Sequence, residues 1–247
     1  IHGDAGADDG LDLSRAPFGP AIQPDQRADL QKVAHGRDPG AAAMTSPDDL
    51  AGLLCARICH DLVSPIGAVG NGIELISPAG GVGAEEHALL EDSAAAARAA
   101  LRFLRLAFGA ASDDAPAVPD AELRALADDH LCRGRHEITW PIGGAELPRP
   151  LARMLCLALM TAVSATPLGA RMMVAAPRSA PLSLTVEAEG RRAELSPEAL
   201  DAVETAAARS PREAHIALLS RLARSRGARL SVAAEGAHAR VAVSEGG

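Results

Sequence analysis

A histidine and an aspartate stand side by side within an apolar stretch of the sequence, at His60 and Asp61. The stretch, residues 53–76, reads LLCARICHDLVSPIGAVGNGIELI. A neutral imidazole is a nucleophile and proton acceptor near neutral pH, and a carboxylate beside it can tune it. Two cysteines, Cys55 and Cys59, lie close by. Nucleophilic chemistry at the imidazole therefore has to be weighed against metal or haem binding.

The cysteines argue against both metal and haem. Haem-attachment strings have two residues between their cysteines, whereas three separate Cys55 from Cys59. At helical spacing both thiols are predicted to lean toward the apolar side of the helix, away from His60. We interpret them as core thiols and expect neither a metal ion nor a cofactor.

Helical spacing predicts that the histidine faces solvent. At about 100° per residue, one apolar stripe contains Leu54, Ile58, Leu62, Pro65, Ile66, Val69, Ile73 and Ile76. His60 lies roughly 180° from the centre of that stripe. Its neighbours on the same face are Leu53, Ala56, Arg57, Ser64, Gly67 and Asn71. Because three of these are small, the face is predicted to let another protein approach the imidazole.

The alternative is an ordinary surface histidine without a function. Pro65 argues against it, because a proline inside a helix costs about 3 kcal/mol or more. Gly67, Gly70 and Gly72 cost about 1 kcal/mol each relative to alanine. A sequence selected for stability alone would not collect these residues within a few turns of a solvent-facing His-Asp pair.

Two long helices are predicted to carry this face. Ser46 as N-cap and Pro47 in the first turn predict a helix over about 47–76, and residues 77–81 predict a turn. A second helix, over about 84–111, has a heptad seam at Leu90, Ala94, Ala97, Leu101, Leu104 and Phe108. An antiparallel hairpin cannot bury such a seam alone, so we expect two copies to form a dimeric four-helix bundle.

The rest of the chain mixes both kinds of element. Helices are predicted near 120–133, 149–166, 197–208 and 211–226, and strands near 136–140, 171–176, 182–188, 229–234 and 238–244. The fold class is therefore α+β, a helical hairpin followed by an α/β two-layer sandwich. The predicted organisation is a disordered extension at 1–43, the hairpin at 44–115 and the sandwich at 116–247.

Composition excludes some partners and compartments. The net charge of −8 offers no electrostatic surface for nucleic acid. We find no apolar run of transmembrane length and no signal peptide. Four cysteines in 247 residues make no disulfide framework, so we expect a cytoplasmic protein that binds no membrane.

Residues 60–65 (HDLVSP) resemble the phospho-acceptor box of bacterial sensor histidine kinases, and the order of elements after residue 116 resembles their ATP-binding domain. The departures matter more. Leu157 and Thr161 stand where the kinases carry asparagines, residues 188–192 (AEGRR) replace the adenine-binding Asp-x-Gly-x-Gly, and residues 210–215 (SPREAH) replace the glycine-rich lid. ATP-Mg²⁺ therefore has no evident ligands.

A histidine hairpin joined to a degenerate nucleotide domain resembles the ChpT-type histidine phosphotransferases, as does the phrase RFLRLAFG at 102–109. The resemblance covers about 44–247. It implies a homodimer that moves a phosphoryl group between receiver domains of a hybrid histidine kinase and of response regulators. Each receiver would bring its own Mg²⁺. The alternatives are a non-catalytic scaffold that binds receivers, or an active histidine kinase or phosphatase.

The resemblance also implies roles for individual residues. His60 would accept the phosphoryl group, Asp61 would tune the imidazole, and Ser64 would hydrogen-bond near the phosphoryl group. The predicted partner-binding residues are Leu53 as an apolar anchor, Arg57 as a charge for the acidic receiver pocket, Gly67 as a point of close approach, and Asn71 as a contact to phosphoryl or backbone. For Arg57 and Asn71 the alternative is ordinary solvated helix surface.

Overall fold

The computed structural model describes residues 46–75, 83–110, 112–132, 134–140 and 146–245. The predicted extension at 1–43, the turn at 77–81 and Ile76 lie outside these residues. Six helices are described: α1 (Pro47–Leu75), α2 (Ala84–Phe108), α3 (Asp120–Leu131), α4 (Arg149–Ala165), α5 (Pro197–Thr205) and α6 (Ala214–Ser225).

Seven strands form two sheets within the same residues. They are β1 (Val118–Pro119), β2 (His136–Thr139), β3 (Glu146–Leu147), β4 (Ala170–Ser179), β5 (Leu182–Gly190), β6 (Ala228–Glu235) and β7 (His238–Glu245). The main sheet has the order β2-β4-β5-β7-β6, with β2 parallel to β4 and every other pair antiparallel. β1 and β3 pair separately. The α+β class expected from the sequence is confirmed.

Strands β6 and β7 form the hairpin that the sequence predicts around Gly236. Glu235 pairs with His238, so the loop has two residues, and Gly236 has φ +61°. That backbone conformation favours glycine in tight hairpin loops. The short loop fixes the register in which Val232 pairs with Val241 at the inner face of the sheet.

Helix α1 begins where its capping residues predict. The Ser46 hydroxyl accepts a hydrogen bond from the Asp49 amide at 3.0 Å, and the Asp49 carboxylate accepts one from the Ser46 amide at 3.1 Å. This reciprocal pair satisfies two amides at the helix N-terminus. The helix then runs through Pro65 to Leu75.

Helices α1 and α2 pack closely at Gly72. A Cβ added to this buried glycine would lie 2.7 Å from the Leu90 side chain, so a larger residue here would force that side chain to move. Gly67 and Gly70 have open space in the same position. The three glycines therefore differ, and Gly72 alone among them is explained by packing within the chain.

Several apolar residues of α1 lie differently from the sequence prediction. Cys55 and Cys59 are exposed, so their interpretation as core thiols is wrong for the single chain. Ile66 and Ile73, which the sequence places on the apolar stripe, are also exposed in the single chain. Leu54, Ile58 and Leu62 are the residues of the stripe that pack within the chain, because α1 contacts α6 as well as α2.

The second half of α2 belongs to the core of the sandwich. Phe103 and Leu104 are fully buried, and the Phe103 ring lies 4.8 Å from the ring of His130 on α3. Arg153 Nε on α4 donates to the Ala107 carbonyl at 3.1 Å. Leu101, predicted in the seam, is 56% exposed, because the sandwich covers a different face of the helix.

Helix α1 is also long and apolar enough to cross a membrane by length and composition. Residues 49–74 contain a window of mean hydropathy 1.3, so the expectation that no apolar run reaches that length is wrong. Apolar helices that pack against other helices have the same composition. Here α1 contacts α2 and α6 and carries the polar His60 and Asp61 at its middle.

Candidate functional site

His60 points to solvent from the middle of α1, as its helical position predicts. Its side chain is 83% exposed. Leu62 and Ile58, on the other side of the helix, pack against the core. Helix α1 itself therefore leaves the imidazole open to another molecule.

Asp61 lies beneath the imidazole and is largely withdrawn from water. Its side chain is 13% exposed. Asp61 Oδ1 is 3.1 Å from His60 Nδ1, and Asp61 Oδ2 accepts a hydrogen bond from Arg57 Nε at 2.8 Å. The pair at positions 57 and 61 uses the i,i+4 spacing at which side chains meet on a helix. Each carboxylate oxygen thus has a partner, as a poorly solvated carboxylate requires.

Arg57 also reaches out of its own helix. Its Nη1 atom donates to the backbone carbonyl of Arg212 at 3.4 Å. Arg212 lies in the segment 210–213 that leads into α6 and that replaces the kinase lid. The hydrogen-bonded series therefore runs from this segment through Arg57 and Asp61 to His60.

A buried histidine lies behind this series. His215, at the start of α6, is fully buried, and its Nε2 is 3.4 Å from the Ser164 hydroxyl of α4. Its Nδ1 atom has no hydrogen-bond partner among the described residues. Burial, and the positive charge of Arg57, lower the pKa of His215 from its ordinary value to about 3, so this imidazole is neutral at physiological pH.

A cleft of about 720 Å³ opens between α1 and the sandwich. His60 and Arg57 line one side. The other side is formed by α4 and the turn after it, by the segment before α5, and by the segment before α6: Val163, Ser164, Pro167, Glu194, Leu195, Ser196, Pro197, Ala199, Arg212, Glu213 and Ile216. The imidazole therefore stands at the edge of a cavity with charges of both signs.

The remaining predicted site residues divide into two groups. Ser64, Gly67 and Asn71 are exposed on α1, one to three turns beyond His60. Leu53 packs partly against the core, and Arg57 is held by Asp61 and the Arg212 carbonyl. The last two are thus less available to a partner than the sequence analysis expects.

The positions where the kinases carry asparagines are interior here. Leu157 and Thr161 are fully buried, and the Thr161 hydroxyl donates to the Leu157 carbonyl at 2.8 Å. Ala188 is buried within β5, opposite Ala239 of β7. In the part of the chain that the structure describes, no group of three or more His, Cys, Asp or Glu residues is placed to hold a metal ion.

Sequence reasoning missed the second-domain half of the site. It described residues 210–215 only as a replacement for the glycine-rich lid of the kinases. In the structure, the Arg212 carbonyl accepts a hydrogen bond from Arg57, and His215 is buried nearby. Ser164 and His215 are far apart in the sequence, so no local sequence pattern indicates their contact. Arg57 was identified from the sequence, but its acceptor lies 155 residues away and left no signal near it.

Comparison with known proteins shows which family the chain resembles. Residues 120–238 match the family described as "Histidine phosphotransferase C-terminal domain". Over 168 residues the chain is 33% identical to the protein phosphotransferase ChpT of Brucella abortus (strain 2308). The matched region covers 68% of this chain and 80% of that protein. The chain belongs to the ChpT-type histidine phosphotransferases. It is therefore a phosphotransferase, and the resemblance drawn from its residues is confirmed.

A solved structure supports the same assignment. The chain superimposes on a bacterial phosphotransferase with a TM-score of 0.67 and 27% sequence identity, covering 81% of this chain and 100% of the other. The two proteins therefore share one fold over about four fifths of this chain.

The buried, neutral state of His215 predicts how stability responds to acid. The folded-state pKa of about 3 lies below the ordinary histidine value of about 6.5, so only the unfolded chain gains this proton between those values. This contribution to stability is complete above about pH 6.5 and is lost as pH falls toward 3, at up to about 1.4 kcal/mol per pH unit.

His215→Leu should remove this contribution to the slope. Urea unfolding measured from pH 7 to pH 4.5 should show a shallower loss of unfolding free energy in this variant than in the wild type. His238→Ala, at an exposed imidazole, is the matched control and should keep the wild-type slope. Parallel curves for His215→Leu and wild type would contradict a neutral His215.

Proposed function

We propose that this protein moves a phosphoryl group between the aspartates of receiver domains through His60. The observation that carries the proposal is the imidazole itself, exposed at the edge of the cleft with its Nδ1 held 3.1 Å from Asp61 Oδ1. Membership of the phosphotransferase family supplies the reaction class. The donor would be the receiver of a hybrid histidine kinase, and the acceptors would be the receivers of response regulators.

The hydrogen bond at Nδ1 supports Nε2 as the nucleophile. A neutral imidazole that donates Nδ1–H to Asp61 has its lone pair on Nε2. Nε2 attacks the phosphorus of the aspartyl phosphate, the N–P bond forms, and the P–O bond breaks, with its electron pair leaving on the receiver carboxylate. The positive charge that develops on the ring lies beside the Asp61 carboxylate. The reverse sequence returns the phosphoryl group to the next aspartate.

The other exposed residues of α1 would complete the docking face. Ser64, one turn beyond His60, would donate a hydrogen bond near the phosphoryl group. Gly67 leaves open space above the helix, where a partner backbone can come close, and Asn71 would contact that backbone or the phosphoryl oxygens. Catalysis would then consist of positioning and charge, with Mg²⁺ carried by the receiver and no cofactor on this chain.

The second domain is proposed to bind the acceptor receiver instead of ATP. On α4, Leu157 and Thr161 are buried, and the Thr161 hydroxyl already donates to the Leu157 carbonyl of the same helix. The segment 210–215 leads into the first turn of α6, and its Arg212 carbonyl accepts a hydrogen bond from Arg57. The cleft beside His60 therefore remains open to a protein partner, while base and phosphates lack ligands.

The hairpin is proposed to form the dimer. Large apolar side chains are exposed along both helices, at Val63, Ile66, Ile73, Leu89 and Leu101, and Val63 is 68% exposed. A second hairpin would cover them in a four-helix bundle, together with Cys55 and Cys59. The same burial would account for the apolar composition of α1 in a cytoplasmic protein.

A non-catalytic scaffold is the second candidate, because the exposed face and the cleft would also serve binding alone. The proposed domain division, with the hairpin in 44–115 and the sandwich in 116–247, is compatible with either function. Transfer of a label through His60 separates them.

His60→Ala should abolish phosphoryl acceptance without disturbing the fold, because the side chain is exposed. A receiver domain carrying a radiolabelled aspartyl phosphate and Mg²⁺ is incubated with the protein, and acid-labile label on the chain is measured. His87→Ala is the matched control, since His87 is exposed on α2 and its nearest ion partner is Glu91 at 3.6 Å. Label that persists in His60→Ala would contradict the proposed acceptor.

ATP-Mg²⁺ should give no binding heat in calorimetry up to about 1 mM ligand, because neither the base nor the phosphates meet suitable side chains. An active histidine kinase serves as the positive control. A binding curve in the micromolar range would instead favour a functional nucleotide site and the kinase alternative.

A double variant of the exposed apolar face, Ile66→Glu with Leu101→Glu, should be monomeric by light scattering at micromolar concentration. The wild type should be a dimer, because burial of each large apolar side chain stabilises by about 1.5–3 kcal/mol and the charges remove this gain. Leu168→Glu, at a residue of the second domain that is exposed to the same degree, should remain dimeric. A monomeric wild type would contradict the proposed interface.

A further inference from the structure

The geometry points to Arg57 as a positioning residue: we propose that its guanidinium holds Asp61 in the orientation that fixes the His60 tautomer, and ties both to the backbone of the second domain. The inference rests on the proposed transfer through His60. It replaces the role that the sequence suggested for Arg57, which was to contact the partner.

Two different nitrogens of Arg57 bind acceptors on two different elements. Nε donates to Asp61 Oδ2 at 2.8 Å, and Nη1 donates to the Arg212 carbonyl at 3.4 Å. The guanidinium is planar and presents its donors in a fixed fork. Placing one nitrogen therefore constrains the other, and the side chain is only 21% exposed.

The carbonyl that Arg57 binds belongs to a well-anchored turn. The Arg212 amide donates to the Ser210 hydroxyl at 3.2 Å, and that hydroxyl donates to the Glu213 carboxylate. The Glu213 carbonyl in turn accepts from the amides of Ile216 and Ala217 at 2.9 and 3.1 Å, in the first turn of α6. The acceptor is thus fixed to the second domain and not to a free loop.

Fixing Asp61 fixes the proton on His60. With Oδ2 bound by Arg57, Oδ1 is the oxygen that faces His60 Nδ1 at 3.1 Å. This contact favours the tautomer with Nδ1–H and a free lone pair on Nε2. Free imidazole side chains favour the other tautomer, in which Nε2 carries the proton and cannot attack. Loss of Arg57 would let the carboxylate rotate, and the reactive fraction of His60 would fall.

A contact role and a positioning role predict different measurements. A partner contact would change the affinity for the receiver and leave the isolated protein unaltered. A positioning role changes the imidazole of the isolated protein, with no receiver present. The decisive readout is therefore the tautomer of His60 in the full chain, observed by nitrogen-15 NMR of the two ring nitrogens.

The spectra are recorded at about pH 8, above the ordinary histidine pKa of about 6.5. The wild type should show a protonated Nδ1 and an unprotonated Nε2 at His60. Arg57→Ala should shift both nitrogen signals toward the opposite tautomer, and Arg57→Lys should do so too, because one ammonium does not reproduce the two-nitrogen fork. Arg57→Gln, which keeps the aliphatic stem, replaces Arg57→Ala if that variant fails to fold.

Arg209→Ala is the matched control. It removes an arginine from the segment just before α6, but one whose Nε lies 3.6 Å from Asp201 and which is exposed. It should leave the His60 signals unchanged. Wild-type signals in Arg57→Ala would overturn the proposal, and wild-type signals in Arg57→Lys would overturn the role of the fork geometry.

Transfer rates give a second, independent test. The single-turnover rate from a phosphorylated receiver should fall about three- to tenfold in Arg57→Ala, in proportion to the lost reactive fraction. In an Asp61→Asn background the same substitution should change the rate less than about twofold, because Arg57 acts through Asp61. Additive effects would overturn the proposal. If the wild type accepts no label, the proposed function fails, while the NMR spectra still decide the role of Arg57.

Discussion

A carboxylate withdrawn from water must be surrounded by hydrogen-bond donors, and Asp61 meets this requirement with one partner on each oxygen. Arg57 supplies the first and His60 the second. Because Arg57 also binds a carbonyl of the second domain, the satisfaction of one acid connects the hairpin, the cleft and the segment before α6. The exposed imidazole is therefore held by the partly buried side chains of Asp61 and Arg57.

The interior behind Asp61 is closely packed and mostly apolar. Leu157 and Thr161 are fully buried on α4, and His215 fills the space between α4 and α6 as a neutral side chain. With aromatic residues at only 2% of the chain, the core is filled by leucine, alanine, valine and methionine. Close packing of such side chains maintains the two-layer fold.

Local patterns in the sequence predicted the parts of this protein that local forces determine. The cap at Ser46, the spacing of apolar residues in α1 and the glycine between β6 and β7 each depend on neighbours within a few residues. The same spacing correctly predicted that His60 faces solvent. The two-layer α+β fold followed from the order of elements.

The remaining features depend on contacts between distant residues. Arg57 and Arg212 are separated by 155 positions, and nothing near Arg57 in the sequence indicates a carbonyl acceptor. Leu104 of the predicted seam is buried by the sandwich and not left for a second hairpin, because α3 and α4 cover that face of α2, which a heptad pattern does not reveal. Cys55 and Cys59 are exposed in the single chain for a similar reason, since contact with α6 determines which face of α1 packs.

The burial of Phe103 and Leu104 by the sandwich has a consequence for how the molecule works. Swinging the sandwich away from the hairpin would expose these side chains to water, at about 1.5–3 kcal/mol for each, and would break the bond from Arg153 to the Ala107 carbonyl. These contacts hold the hairpin and the sandwich together as one body. In the proposed transfer, the receivers therefore approach His60 and leave it again, while the sandwich stays packed against the hairpin.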